Sequence, residues 1–213
     1  MIGLMAMASA ESVHREVLDN GLVLVVEEFH QTSAAEVRVA VRAGPVNEGP
    51  LLGSGASLLL QRVLVNSGIG GQGVDEVRRA IARMGNRFYS DTTVATAVYG
   101  MSVTGDQTAE ALGLLVGLLG NFHYTQADLQ REREAILAQA NVAGEAFSEQ
   151  LLNSVVYRQH PARLPVAGVP AMMEQVTLDL LRRYHAARYT AANTVVTVVG
   201  NVNTNDIRRQ VTQ

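Results

Sequence analysis

The order of periodicities along this chain predicts an α+β fold, with helices laid against a mostly antiparallel sheet. Three observations carry that prediction. An Asn20-Gly21 pair stands between two apolar runs within residues 17–28, and Asn-Gly between such runs signals a tight β-hairpin. Further strand-like runs come in neighbouring pairs and do not alternate singly with helices. Helical stretches then follow in blocks, which gives the order β-β-α-α-β-β-α-α-α-β-α.

Each element has its own local cause. In the strand expected at Ala35–Ala43, Val37, Val39 and Val41 fall on one face and Glu36, Arg38 and Arg42 on the other, the alternation of a half-buried strand. A Gly44–Gly53 loop leads into Ala56–Val65, whose length and lack of alternation predict a helix. Asp75–Met84 sets Val77, Ile81 and Met84 at helical spacing, and Gly85 closes that helix. Arg87–Thr93 and Thr96–Thr104 are rich in Thr, Val and Tyr and predict a strand pair. Asp106 is the expected cap of a helix through Ala109, Leu112, Leu115, Val116 and Leu119, ended by Gly120-Asn121. Thr125 to Asp128 reads as a capping box with Asp in place of Glu. It opens a long helix reaching Ala140 or beyond, and another helix is expected over Glu145–Tyr157. A proline-rich loop runs from His160-Pro161 through Pro165 and Pro170. After it come a helix at Thr177–Arg188, a strand at Thr194–Val199 and a helix from Asn205 to Gln213.

The 213 residues, 47% hydrophobic and 17% charged, suit one well-cored domain, expected over 13–213 because no repeat or linker divides it. Residues 1–12 are expected to be a disordered or signal-remnant N-terminus. Met1 to Ala10 is apolar and ends in the small residues Ala8-Ser9-Ala10, without a basic leading region. That favours a periplasmic or exported protein, with cytoplasmic the alternative. A net charge of −3 and only 17 Lys plus Arg give no basic footprint for nucleic acid or an anionic membrane. No apolar run is long enough for a transmembrane segment. With no cysteine in the chain, disulfides, thiolate catalysis and Cys-based zinc sites are excluded. Gly68–Gly73 lacks the Lys-Ser/Thr of a phosphate-binding loop and reads as a flexible turn.

One ordered series of motifs spans roughly residues 14–213. It runs from Asn20-Gly21-Leu22 through Val41-Arg42-Ala43-Gly44-Pro45-Val46-Asn47-Glu48 to Gly85-Asn86 with Asp91-Thr92-Thr93 and Tyr99. It continues in Asp128-Leu129, Glu132-Arg133-Glu134, His160-Pro161, Pro165, Gly168, Tyr184, Tyr189, Asn193 and Val199-Gly200-Asn201. Together these resemble the pitrilysin and mitochondrial processing peptidase family, the inverzincins with an H-x-x-E-H helix. In active members two histidines four apart on one helix face and a later glutamate hold zinc, with water in the fourth position. The glutamate before the second histidine takes the water's proton.

Laid onto this chain, the first histidine becomes Ser57, the base Leu60, the second histidine Gln61 and the later ligand Gln139, seven residues after Glu132. Glu132, the auxiliary acidic position, alone keeps its type. These five are therefore vestigial site positions, with no catalytic residue, no metal ligand and no cofactor expected, although active relatives carry zinc. The resemblance implies a catalytically inactive zinc-peptidase homologue, acting as a partner or substrate-holding subunit of a pitrilysin-family complex. The alternatives are a zinc metalloendopeptidase whose competent site lies outside this segment, and a stand-alone peptide-binding or assembly module. Expected partners are a catalytic family subunit or the missing second half, and unstructured peptides, but not nucleic acid. Because family proteins usually carry two such halves, the chain reads as the first. Its stop inside a helix at Gln213 predicts a cut chain or a split gene.

Plainer readings stand beside these. His14, His30, His123, His160 and His185 fit neither H-x-x-E-H nor H-E-x-x-H and are expected to be surface or satisfied loop histidines. Glu132 and Glu134 are expected on a solvated helix face. Ser57 and Gln61 are expected to form a polar, hydrogen-bonded pair inside the former cleft.

Overall fold

The computed structural model describes residues 13–85, 87–121, 123–140 and 151–212. Strands β1 (His14–Val17) and β2 (Val23–Glu28) form the expected hairpin. Gly21 turns it at φ +85°, a left-handed conformation glycine adopts without strain, and the Leu22 N–H donates to Asn20 Oδ1. Four more strands complete the sheet: β3 (Ala34–Val41), β4 (Phe88–Thr92), β5 (Ala97–Thr104) and β6 (Thr194–Gly200).

The sheet order is β1-β2-β6-β3-β5-β4. Every neighbouring pair is antiparallel except β2 and β6, which run parallel. The last strand therefore lies between the hairpin and β3, and β4 is left as an outer edge. Alternation on β3 sets its facing: Val37, Val39 and Val41 are buried, while Glu36 accepts hydrogen bonds from Tyr89 and Ser102 beyond the core.

The helices are α1 (Ala56–Val65), α2 (Val74–Arg83), α3 (Thr108–Leu119), α4 (Gln126–Ala140), α5 (Pro170–Met173), α6 (Leu178–Arg188) and α7 (Thr204–Thr212). Leu59, Leu60, Val63 and Leu64 of α1 join Ala111, Leu112 and Leu115 of α3 and the inward strand residues in one apolar cluster. This is the expected α+β architecture. Among the described residues, no helix is long and apolar enough to cross a membrane.

One local expectation changes. Asp106 does not cap α3: it sits inside a 3₁₀ turn, Gly105–Gln107, capped by Thr104, whose N–H and hydroxyl both donate to Gln107 Oε1. A side chain can cap only from outside the first turn, and the extra turn moves that position back to Thr104. Gly68–Gly73 forms a hydrogen-bonded reverse turn at Ile69–Gln72, tied down by Asn121 Nδ2 donating to the Gly68 carbonyl. The Thr125/Asp128 capping box forms as read, with the Thr125 N–H and hydroxyl on Asp128 Oδ2 and the Asp128 N–H returning to Thr125 Oγ1. Residues 151–156 are helical. The readings for residues 1–12, Asn86, residues 145–150 and Gln213 lie outside the described residues.

Candidate functional site

Helix α1 begins at Gly55, which sits at φ +69° and supplies no side chain to cap it. Glu48 fills that role from the preceding loop. It is 2% exposed; its Oε1 accepts from the Ser57 N–H at 2.9 Å and the Ser57 hydroxyl at 2.8 Å, and its Oε2 accepts from the Gly53 N–H at 3.1 Å. A carboxylate suits the free N–H groups and positive end of a helix N-terminus. Burial nevertheless pushes the Glu48 carboxyl above its ordinary value, and the Ser57 and Gly53 hydrogen bonds offset only part of that.

The glycines in this region answer to close backbone packing. A Cβ on Gly55 would lie 2.4 Å from the Ala167 carbonyl oxygen, and one on Gly168 would lie 2.4 Å from the Gly55 nitrogen. The Val169 N–H donates to the Gly53 carbonyl at 2.7 Å. The proline-rich loop thus locks against the start of α1.

The five sequence-predicted positions have separate fates. Ser57 is fully buried and gives its hydroxyl to Glu48. Leu60, also fully buried, belongs to the apolar core cluster. Gln61 is 4% exposed and lines the cleft beside α1, while the Ser57 hydroxyl goes to Glu48. The expected Ser57–Gln61 pair therefore does not form, because Glu48 outcompetes a neutral amide for the serine hydroxyl.

On α4, Glu132 is 6% exposed and ion-paired with Arg131 at 3.1 Å, which corrects the solvated-face reading for that residue. Arg131 also holds Asp128 at 2.9 Å and donates to the Asn66 carbonyl at 3.0 Å, joining α4 to the end of α1. Glu134, by contrast, is exposed and accepts from Gln130. Gln139 is exposed, and its Oε1 accepts from Arg62.

Between α1 and β4 lies an open cleft of about 350 Å³. Leu58 and Val65 supply its apolar wall, Gln61 and Arg62 its polar helix side, and Ser90 and Thr92 its strand side. The Thr92 hydroxyl is buried without a partner. β4 runs along this cleft as the outermost strand.

Among the histidines, His185 departs from the surface or loop expectation. It is fully buried on α6, with Nε2 2.7 Å from the Leu119 carbonyl and Nδ1 3.5 Å from the Tyr124 hydroxyl. A carbonyl can only accept, so Nε2 carries the proton. Burial lowers the His185 pKa, partly offset by that carbonyl. The ring also packs edge-on against Tyr189, which exchanges a 2.8 Å hydrogen bond with Tyr99.

Glu48, Arg62 and Thr92 were not assigned roles from sequence. For Glu48 a signal was present: an acidic residue in a glycine-rich loop nine positions before a helical serine. Thr92 gave none, since its orphaned hydroxyl follows from three-dimensional packing alone.

The cleft is thus framed by a helix packed on the edge of a mixed six-stranded sheet, with a second long helix beside it. The insulinase family, peptidase family M16, matches residues 23–169. The chain belongs to that family. It is 26% identical over 200 residues to an uncharacterized zinc protease of Mycobacterium leprae, covering 92% of this chain and 44% of that protein. It is 24% identical over 206 residues to a probable mitochondrial-processing peptidase subunit beta of Arabidopsis thaliana, covering 95% of this chain and 38% of that one. Among solved structures, an M16 inactive domain from Pseudomonas fluorescens superposes with TM-score 0.82 at 22% identity, covering 93% of this chain and 49% of that chain. A Helicobacter pylori protease gives 0.84 at 19% identity, covering 94% and 49%. The chain thus spans less than half the length of these relatives.

The donor set of this segment does not fit the zinc of such proteases. Zinc takes imidazole, thiolate or carboxylate ligands. The positions that the resemblance assigns to ligands and base hold a serine hydroxyl committed to Glu48, two neutral amides and a core leucine. Among the described residues, no three His, Cys, Asp or Glu side chains gather as a metal would need.

Proposed function

We propose that this chain is a non-catalytic M16 member that holds an extended peptide along β4 and works with a second half-domain or a catalytic subunit of the same family. One observation carries this reading: three of the four groups standing where ligands and base would be are built into something else. Ser57 caps a helix with Glu48, Leu60 packs the core and Gln139 ties to Arg62. The peptide-holding part is supported by the cleft beside an edge strand whose outer N–H and C=O groups are left for an added strand. The partner part is supported by the chain spanning less than half the length of the relatives it resembles.

The test is direct. The purified chain, incubated with zinc and unstructured fluorescent peptides, is expected to take up no stoichiometric zinc by elemental analysis. It is expected to leave the peptides intact by mass spectrometry and to bind them saturably. Stoichiometric zinc together with cleavage in the absence of a partner overturns the reading.

A further inference from the structure

We infer that Arg87 and Asp91, on the outer face of the β4 edge, set the direction of a bound peptide by charge. A basic residue of the guest lies opposite Asp91, and an acidic residue further along it lies opposite Arg87. The inference rests on the peptide-holding reading above and names the class of guest that this edge prefers.

Register places the side chains. β4 pairs antiparallel with β5 from Phe88↔Met101 to Thr92↔Ala97, and the Ser102 N–H donating to the Arg87 carbonyl at 3.2 Å carries the ladder one residue further. Alternation then puts Arg87, Tyr89 and Asp91 on one face of the strand. All three are exposed, whereas Phe88, Ser90 and Thr92 between them are more covered.

Tyr89 does not obstruct the edge. Its ring lies back over Gly100, its partner on β5, so closely that a Cβ there would come within 2.2 Å of Tyr89 Cζ. Its hydroxyl donates to Glu36 Oε1 on β3 at 2.8 Å. The two charges flanking it are uncommitted: neither Arg87 nor Asp91 joins an ion pair among the described residues. Glu36 and Arg38, two strands further in, carry opposite signs and largely cancel at that distance.

An added strand continues the pleat, so guest residues opposite Arg87, Tyr89 and Asp91 project on the same face as they do. Opposite charges directly across a strand pair attract, and like charges repel. Antiparallel addition is the slightly more stable pairing. In it the guest residue opposite Asp91 comes four positions before the one opposite Arg87. The preferred guest therefore reads base-x-x-x-acid from its N- to its C-terminus, with an apolar middle residue beside the Tyr89 ring.

Fluorescence anisotropy with three unstructured peptides of one host sequence tests this. They carry Lys-x-Val-x-Glu, the reversed Glu-x-Val-x-Lys, or Gln-x-Val-x-Gln at the same central positions. The Lys-first peptide is expected to bind about tenfold tighter than the Glu-first one, two attractive pairs set against two repulsive ones. The Gln peptide should fall between them. The gap should close at about 0.5 M salt, where exposed charges are screened. The double exchange Arg87→Asp with Asp91→Arg, at two exposed positions, is expected to reverse the order. If the peptides bind but charge order makes no difference, or the Glu-first peptide binds the wild-type chain tighter, the charge reading is overturned and peptide holding stands. If no peptide binds at all, the peptide-holding reading fails and takes this one with it.

Discussion

Replacing Glu48 with alanine should destabilise the fold more than any surface change, because one buried side chain organises the start of α1. Three donors lose their acceptor together: the Gly53 N–H, the Ser57 N–H and the Ser57 hydroxyl. Hydrogen bonds to a charged group contribute about 1.5–3 kcal/mol each when one partner is deleted. Against that, removing the carboxylate returns the cost of burying it, a cost visible in its raised pKa. Ser57 is fully buried, so water cannot replace the lost acceptor there. The net loss expected is about 2–4 kcal/mol, read as a lower urea midpoint at unchanged m-value by circular dichroism. Ser57→Ala removes only the hydroxyl bond and should cost about 1 kcal/mol. The double variant should be less destabilised than the sum, with a coupling of about 1 kcal/mol or more. A Glu48→Ala chain within about 0.5 kcal/mol of wild type, or strict additivity with Ser57→Ala, would refute the role assigned to Glu48.

Other consequences follow from the same geometry. Because the folded-state pKa of Glu48 is raised above 4.5, the protonation-linked part of its contribution, separate from the hydrogen bonds its carboxylate keeps, is fully present below that value and is lost as pH rises through the folded pKa. Subtracting the Glu48→Gln stability profile from wild type should therefore show a decline with rising pH above about 4.5, opposite in sign to the contribution of Asp128, whose pKa is lowered. Leu60→Glu places an unpaired carboxylate in the apolar cluster and should cost about 3–5 kcal/mol in thermal or urea unfolding; a neutral result would mean Leu60 faces the cleft. Thr92→Val removes a buried hydroxyl that has no partner and should leave stability unchanged or raise it by up to about 1 kcal/mol, whatever it does to peptide binding. Gly168→Ala meets both φ +74° and a 2.4 Å contact with the Gly55 nitrogen, and should lower stability by about 1–3 kcal/mol.

The fold was legible because its signals are local. Asn20-Gly21, the alternation of Val37, Val39 and Val41, and the Thr125/Asp128 box each act within a few residues, and each appears where it was read. The sheet order was not legible in that way. β6 pairs with β2 in parallel and with β3 antiparallel across a separation of more than 150 residues, and no local pattern encodes that choice. The site was half legible. The chemical types at Ser57, Leu60, Gln61 and Gln139 are plain from sequence, but their partners are not. Glu48 takes the serine, Arg131 takes Glu132 and Arg62 takes Gln139. His185 was misplaced for the same reason: its carbonyl partner Leu119 lies on another helix.

The separate fates of the α1 positions bear on how the site differs from a zinc site with its ligands simply deleted. A deletion would leave polar stubs around a hollow, each open to water. Here Leu60 adds apolar contact to the core, and Ser57 binds a carboxylate that would otherwise be buried with one fewer donor. Both residues stabilise the fold in their present form, so Ser57→His or Leu60→Glu would disrupt the hydrogen bonding or packing already there. Gln61 is different. Its side chain lines the cleft, on the wall facing Ser90 and Thr92. That contrast within a single helix is why, of the three, only Gln61 stands where a guest in the cleft would meet it, with Ser57 and Leu60 committed to the fold beneath.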